Sequence, residues 1–231
     1  MFGPIVYKTL QRVLPPMTWE MPDREAVFLT FDDGPTPEVI PWVLDVLAAY
    51  GVKATFFCLG RNVDRHPDLF RAILEGGHRV GNHSYSHLRG WATSDEEYVN
   101  DVELADQLIG SDLYRPPYGR ITQRQADLLS GRYHLVMGSV LSGDYNPALL
   151  PDRVLSNVTR FVRGGSIVVF HDSWKAFPRT RYALPRAIEY IRNEGYLFKT
   201  LSFSDAETVR TRRPLVELDE PVMMPVSENL R

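Results

Sequence analysis

The chain has a single cysteine, Cys58, so no internal disulfide can brace it and its stability must come from a packed core. Cys58 lies inside the apolar run 54–59 and reads as a small core hydrophobe. No stretch approaches the roughly twenty consecutive apolar residues of a membrane-spanning helix, so no such span is expected. Nor is a secretory leader expected: the first apolar stretch is short, and its first cation, Lys8, follows it instead of preceding it. The corresponding expectation is a cytoplasmic protein, with peripheral membrane association or export by another route as alternatives. Nor is there an excess of either charge. Against 26 Lys and Arg stand 29 Asp and Glu, and a formal net charge of −3 gives no general attraction to nucleic acid or anionic membrane. A small or neutral partner, bound by a monomer, is expected.

What is present is enough for one core: 231 residues, 44% hydrophobic and 11% aromatic, fit one large α/β domain or two small ones. Apolar runs of strand length at 27–31, 54–59, 135–141, 166–170 and 196–201, with shorter ones at 79–82 and 113–115, alternate with helical stripes. Helices are expected from the Thr36-Pro37-Glu38 start to Gly51, from His66-Pro67 to Gly76, over 93–109, 122–130, 151–163 and 182–193. About seven strand and helix alternations without a break predict one α/β domain with a parallel sheet, in the form of a distorted, incomplete (β/α) barrel like a TIM barrel. The folded unit is expected over 26–201. Before it, Ile5, Val6, Leu10, Val13 and Leu14 fall on one helical face, predicting a helical segment within 1–25; after it, 202–231 reads as an extended tail.

Chemistry gathers where the strands end. The run 27–31 is uncharged and β-branched or aromatic, as in a strand covered on both faces, and it ends in Asp32-Asp33-Gly34-Pro35. Adjacent carboxylates at a buried strand end repel and resist desolvation, and a cation is the simplest offset. His83 and His87 in His83-Ser84-Tyr85-Ser86-His87 are spaced so that one helical turn or a tight loop brings both imidazoles to one ion. Together these predict a site of two histidines and one carboxylate with open positions, with Asp33 as the ligand and Asp32 free to act as base. His171 follows the strand 166–170, where a catalytic and a structural role are equally open. His66, His78 and His134 read as ordinary cap or turn residues. Arg115-Pro116-Pro117-Tyr118-Gly119 is a stiff turn that can direct the Tyr118 backbone N–H into the site. In parallel α/β architectures the strand ends share one face, where active sites lie.

The motifs TFDDGP at 30–35, HSYSH at 83–87, RPPYG at 115–119, GDY at 143–145 and VFHD at 169–172 resemble, in order and approximate spacing, the polysaccharide deacetylases, carbohydrate esterase family four. The resemblance covers 26–201. It implies a distorted (β/α) barrel that removes N-acetyl or O-acetyl groups from sugars with a divalent metal, zinc ahead of cobalt, nickel or manganese. By the same resemblance Asp33, His83 and His87 hold the metal and Asp32 is the general base. Arg115 would tether Asp32, the Tyr118 N–H would help bind the oxyanion, and Asp144 would orient His171, the general acid. The chain departs from the family at Leu141, where an aspartate is usual, at Tyr145, where a tryptophan is, and at Val169, where a leucine lines the acetyl pocket. Trp91 and Trp174, just past His87 and His171, are candidates for stacking on a sugar face.

The leading expectation is a metal-dependent deacetylase of N-acetylglucosamine-containing glycans of the chitin oligosaccharide or peptidoglycan type. An O-acetyl esterase or other amide hydrolase on the same centre, a metal-free glycan-binding relic, and a phosphoacceptor signalling domain built on Asp32-Asp33 are the competing readings.

Overall fold

The computed structural model describes residues 17–203. The expected N-terminal helix over Ile5 to Leu14 and the tail beyond 203 lie outside them.

Strand β2, Ala26–Asp32, pairs with three other strands and is buried along its whole length. Its alternate residues serve two cores, which is why its sequence is apolar without a break. Val27, Leu29 and Phe31 face outward into the larger cluster, against helices α1 (Val39–Ala49) and α7 (Phe177–Asn193). Ala26 and Phe28 face inward, into a smaller cluster with Phe57, Leu113, Val136 and Ile167. Thr30 and Asp32 continue that inner face toward the mouth. Phe31 stacks on Phe56 at 4.9 Å and on Phe170 at 6.1 Å, tying three neighbouring strands together.

Among the described residues nine strands, β2 included, form the sheet in the order β1-β6-β5-β4-β3-β2-β8-β7, with β9 added against β2, and the named pairings are parallel. The members are β1 Met17–Thr18, β3 Thr55–Cys58, β4 Arg79–Asn82, β5 Leu113–Tyr114, β6 His134–Val136, β7 Val140–Leu141, β8 Ile167–His171 and β9 Leu197–Phe198. Helices α2 (Gly60–Arg65), α3 (Pro67–Glu75), α4 (Asp95–Ile109), α5 (Gln123–Ser130) and α6 (Pro151–Thr159) complete the described elements. The sheet curls until its two ends meet. Met137 N–H donates to Thr18 O at 2.7 Å and Ser139 N–H to Ile167 O at 3.1 Å, so residues 137–139 stitch the β6 end to the β8 end. The α/β distorted barrel expected from the strand and helix alternation is the architecture found.

Local chemistry accounts for most element ends. Ser94 caps α4 by accepting from Glu97 N–H, with Asp95, Glu96 and Glu97 in the first turn, and Gly110 closes it in the left-handed conformation at φ 61°. Thr122 and Gln125 form a capping box at α5. Elsewhere the structure departs from expectation. The run 135–141 is two strands: β6 pairs between β1 and β5 while β7 is the edge strand beside β8, and the chain passes from one to the other through Gly138, where a Cβ would fall 2.2 Å from Val169 Cγ2. Helix α1 starts at Val39 behind Glu38 at φ 64°, without a side-chain cap from Thr36. Helix α7 begins earlier than 182, with Pro178 in its first turn where a missing N–H costs nothing. The last strand shrinks from 196–201 to Leu197–Phe198. Among the described residues no helix is long and apolar enough to cross a membrane.

Candidate active site

Three groups of side chains meet at the mouth of the barrel, each delivered by a strand end. The first is Asp32 with Arg115. Arg115 follows β5, is 4% exposed, and its Nη1 donates to Asp32 Oδ1 at 2.6 Å and Thr30 Oγ1 at 2.8 Å. Its Nε and Nη2 donate to the carbonyls of Val136 at 3.3 Å and Met137 at 3.0 Å, and its guanidinium lies 4.0 Å over the Phe57 ring. The buried cation is thus satisfied around the fork, and its planar geometry fixes one oxygen of Asp32.

The second group is Asp33, His83 and His87, whose ligand atoms lie within 4.8 Å of one another. Asp33 Oδ1 is 3.3 Å from His87 Nε2 and 3.8 Å from His83 Nε2. Two atoms each about 2.1 Å from a tetrahedral zinc ion would stand roughly 3.4 Å apart, so a carboxylate oxygen 3.3 and 3.8 Å from the two imidazole nitrogens is spaced to share one ion with them. Their protonation fits as well. His83 Nδ1 lies 2.7 Å from Arg115 O, and a carbonyl only accepts, so Nδ1 carries the hydrogen and Nε2 offers its lone pair. Burial pushes His83 down to about 4, against the charge of Asp32, and keeps it neutral. Burial pushes the Asp33 carboxyl up, but the His87 hydrogen bond and the charge of His171 outweigh it and hold it well below the usual carboxylate range.

The HSYSH segment is a loop, not a helical turn. Ser84 N–H donates to Asn82 Oδ1 at 2.7 Å and His87 N–H to Ser84 Oγ at 3.0 Å, while the carboxylate of Asp101 on α4 accepts from the N–H groups of Tyr85 and Ser86. Among the described residues five non-glycine residues have positive φ, and four of them are here: Asp33 at 87°, Ser84 at 67°, His87 at 62° and Tyr118 at 59°. Such conformations cost about 1–3 kcal/mol each and persist where the surroundings impose them, as at active sites.

The third group is His171 with Asp144. Asp144 is fully buried; its Oδ1 lies 2.7 Å from His171 Nδ1, and its Oδ2 accepts from His171 N–H at 2.8 Å and Thr180 Oγ1 at 2.7 Å. The carboxylate therefore takes the Nδ1 hydrogen and leaves Nε2 to face the mouth. Burial alone would lower the His171 pKa, but the charge and hydrogen bond of Asp144 raise it to about 9.

The remaining predicted residues divide. The Tyr118 ring, half exposed, lies 4.5 Å from the His87 ring, and Tyr145 meets the His171 ring edge-on at 5.0 Å. Val169 is buried on the same face of β8 as His171. Trp174 lines a cavity of about 500 Å³ together with Asp33, His87, Arg61 and Asn62. Trp91 instead donates its indole N–H to Ile121 O and lies under the Arg120 guanidinium. His78 keeps its expected ordinary role, its Nδ1 accepting from Ala54 N–H at 3.2 Å. Several partners were not foreseen from the sequence: Thr30 on Arg115, Thr180 on Asp144, and Asn62, whose Nδ2 donates to Asp33 O at 2.7 Å. Asp172 was another; its place directly after His171 at the end of a buried strand was the available signal.

A protein-family profile described as polysaccharide deacetylase matches residues 20–131. A peptidoglycan-N-acetylglucosamine deacetylase of Bacillus cereus is 34% identical over 201 residues, covering 80% of this chain and 91% of that protein. A chitooligosaccharide deacetylase of Bradyrhizobium is 36% identical over 159 residues, covering 64% of this chain and 71% of its own length. Among solved structures, a peptidoglycan N-acetylglucosamine deacetylase superimposes with a TM-score of 0.76 at 30% identity, over 87% of this chain and 95% of that one. With a barrel of this form and similarity running through nearly the whole of the Bacillus cereus relative, the chain belongs to the polysaccharide deacetylase family.

Proposed function

We propose that the chain is a metal-dependent N-deacetylase that hydrolyses the acetamide of N-acetylglucosamine units in a glycan, of the peptidoglycan or chitin oligosaccharide type named for its relatives. The observation that carries this reading is the convergence of a carboxylate held by Arg115, an ion-sized set of three ligands, and a histidine held by a buried carboxylate at one mouth.

Asp33, His83 and His87 would hold a divalent cation, zinc ahead of cobalt, nickel or manganese by resemblance to the family, which supplies Lewis acidity to an amide carbonyl and lowers the pKa of a water. Asp32 takes the proton of the attacking water as that oxygen bonds to the carbonyl carbon, and Arg115 holds the carboxylate in place for the transfer. The Tyr118 backbone N–H meets the oxyanion of the tetrahedral species. His171, an imidazolium at neutral pH, passes its Nε2 proton to the amine nitrogen as the carbon–nitrogen bond breaks and acetate is freed. Asp144 keeps Nδ1 protonated throughout. Val169 below His171, with Tyr118, Tyr145 and Trp174 around the mouth, forms the wall against which the sugar lies.

Acetate release from N-acetylglucosamine oligomers is expected to stop with a chelator and return on adding zinc. Absence of release from any acetylated glycan with metal supplied would leave only a glycan-binding relic. Release confined to ester substrates would make the chain an O-acetyl esterase.

The pH dependence provides a second check. Since the charge of Asp144 raises His171, Asp144→Asn should lower it, so the alkaline limb of kcat/KM should move from about 9 toward the unperturbed value near 6.5. A limb that does not move would remove His171 as the acid.

A further inference from the structure

One carboxyl at the mouth has no place in this mechanism. Asp172 is 1% exposed and makes no ion pair among the described residues. Its backbone N–H donates to Asp32 O at 3.0 Å and its Oδ1 accepts from Gly34 N–H at 2.8 Å, so one residue grips the chain on both sides of Asp33. Its Oδ2 is buried without a hydrogen-bond partner, an arrangement that is costly and persists where something else requires it.

We infer that Asp172 is a positioning residue whose carboxyl, through Gly34, fixes the turn that aims Asp32 and Asp33. The inference rests on the proposed roles of those two aspartates. Two observations besides the hydrogen bonds support it. Asp33 is held at φ 87°, and the turn after it is fastened from the other side by Leu59 N–H on Gly34 O and Asn62 Nδ2 on Asp33 O. Without the Asp172 contact the turn is fastened on one side only. The second is the glycine itself. Gly34 is absent from the positive-φ residues, so its backbone does not call for glycine; a Cβ there would instead fall 1.8 Å from Asp172 Oδ2, 2.5 Å from its Cγ and 2.8 Å from its Oδ1. Glycine at 34 and the carboxyl at 172 are thus two halves of one contact.

The test is a set of variants read by zinc affinity in competition with a chromogenic chelator, by kcat and KM on an N-acetylglucosamine oligomer, and by melting of the apoprotein. Asp172→Ala should weaken zinc binding about 10-fold or more, the effect typical of removing a group that orients a ligand, and lower kcat with KM little changed. Asp172→Asn retains an acceptor for Gly34 N–H and should restore both to within about 3-fold of the wild type, even if it melts lower. Gly34→Ala should resemble Asp172→Ala, and the double variant should be no worse than either single one, since all three atoms crowding the new methyl are gone. If Asp172→Ala does not fold, Asp172→Ser, too short to reach Gly34, replaces it. Zinc affinity unchanged in a folded Asp172→Ala, an asparagine variant as impaired as the alanine one, or additive losses in the double variant would each overturn the inference. A wild-type protein that binds no zinc would instead overturn the metal reading.

Discussion

His83→Ala is expected to take the metal with it. His83 gives one of three ligands, its Nε2 is freed for coordination by the Nδ1 contact to Arg115 O, and it is 2% exposed, so water enters its place only with rearrangement. Removing a group that merely orients a ligand costs about 10–100-fold in affinity, and loss of the ligand itself should exceed that. Elemental analysis of the purified variant should find well below one metal per chain, and acetate release should fall by at least about 1,000-fold. A variant that retains stoichiometric metal would place the ion elsewhere.

Asp32→Asn is expected to separate binding from turnover. Asparagine has the same shape and still offers an oxygen to Arg115, but it cannot take a proton from water; loss of general-base catalysis costs about 100- to 10,000-fold. Metal content should stay at the wild-type level, since Asp33 supplies the carboxylate that faces both imidazoles. The substitution leaves the buried Arg115 charge without its counter-ion, and breaking a buried pair typically costs about 3–5 kcal/mol, so the melting temperature should drop while Thr30 Oγ1 and the carbonyls of 136 and 137 still hold the guanidinium. Equal loss of metal in both variants would mean that the division of labour between the two aspartates is wrong.

Both expectations can be written from sequence because the reacting groups sit where buried strands end. The unbroken apolar run 27–31 and the run 166–170 are legible as strands covered on both faces, and each appears within a residue or so of its expected bounds. Position along such a strand then places Asp32 and His171 at the mouth. Other features depend on contacts between distant segments. Composition at 135–141 is apolar apart from Gly138 and Ser139, yet the chain there leaves a place between β1 and β5 for one beside β8. Helix α2 opens on a glycine without a side-chain cap; it forms where Gly60 N–H reaches Ser84 O and where any Cβ would strike the Tyr85 ring at 2.6 Å. The His83 to His87 spacing allowed a helical turn or a loop, and Asp101, on another helix, decides for the loop. Thr180 and Asn62 have no local signature at all, because each acts on a residue distant in sequence that only the fold brings near.

The position of Arg115 has a consequence for how this protein would fail. One guanidinium reaches the proton acceptor of the proposed reaction and also the two carbonyls where the curled sheet meets itself. Loosening of that seam would also release the Asp32 carboxylate from its place. Deacylation and architectural integrity are therefore fastened by a single cation, and a lysine, with a point charge in place of a planar fork, could not fasten both.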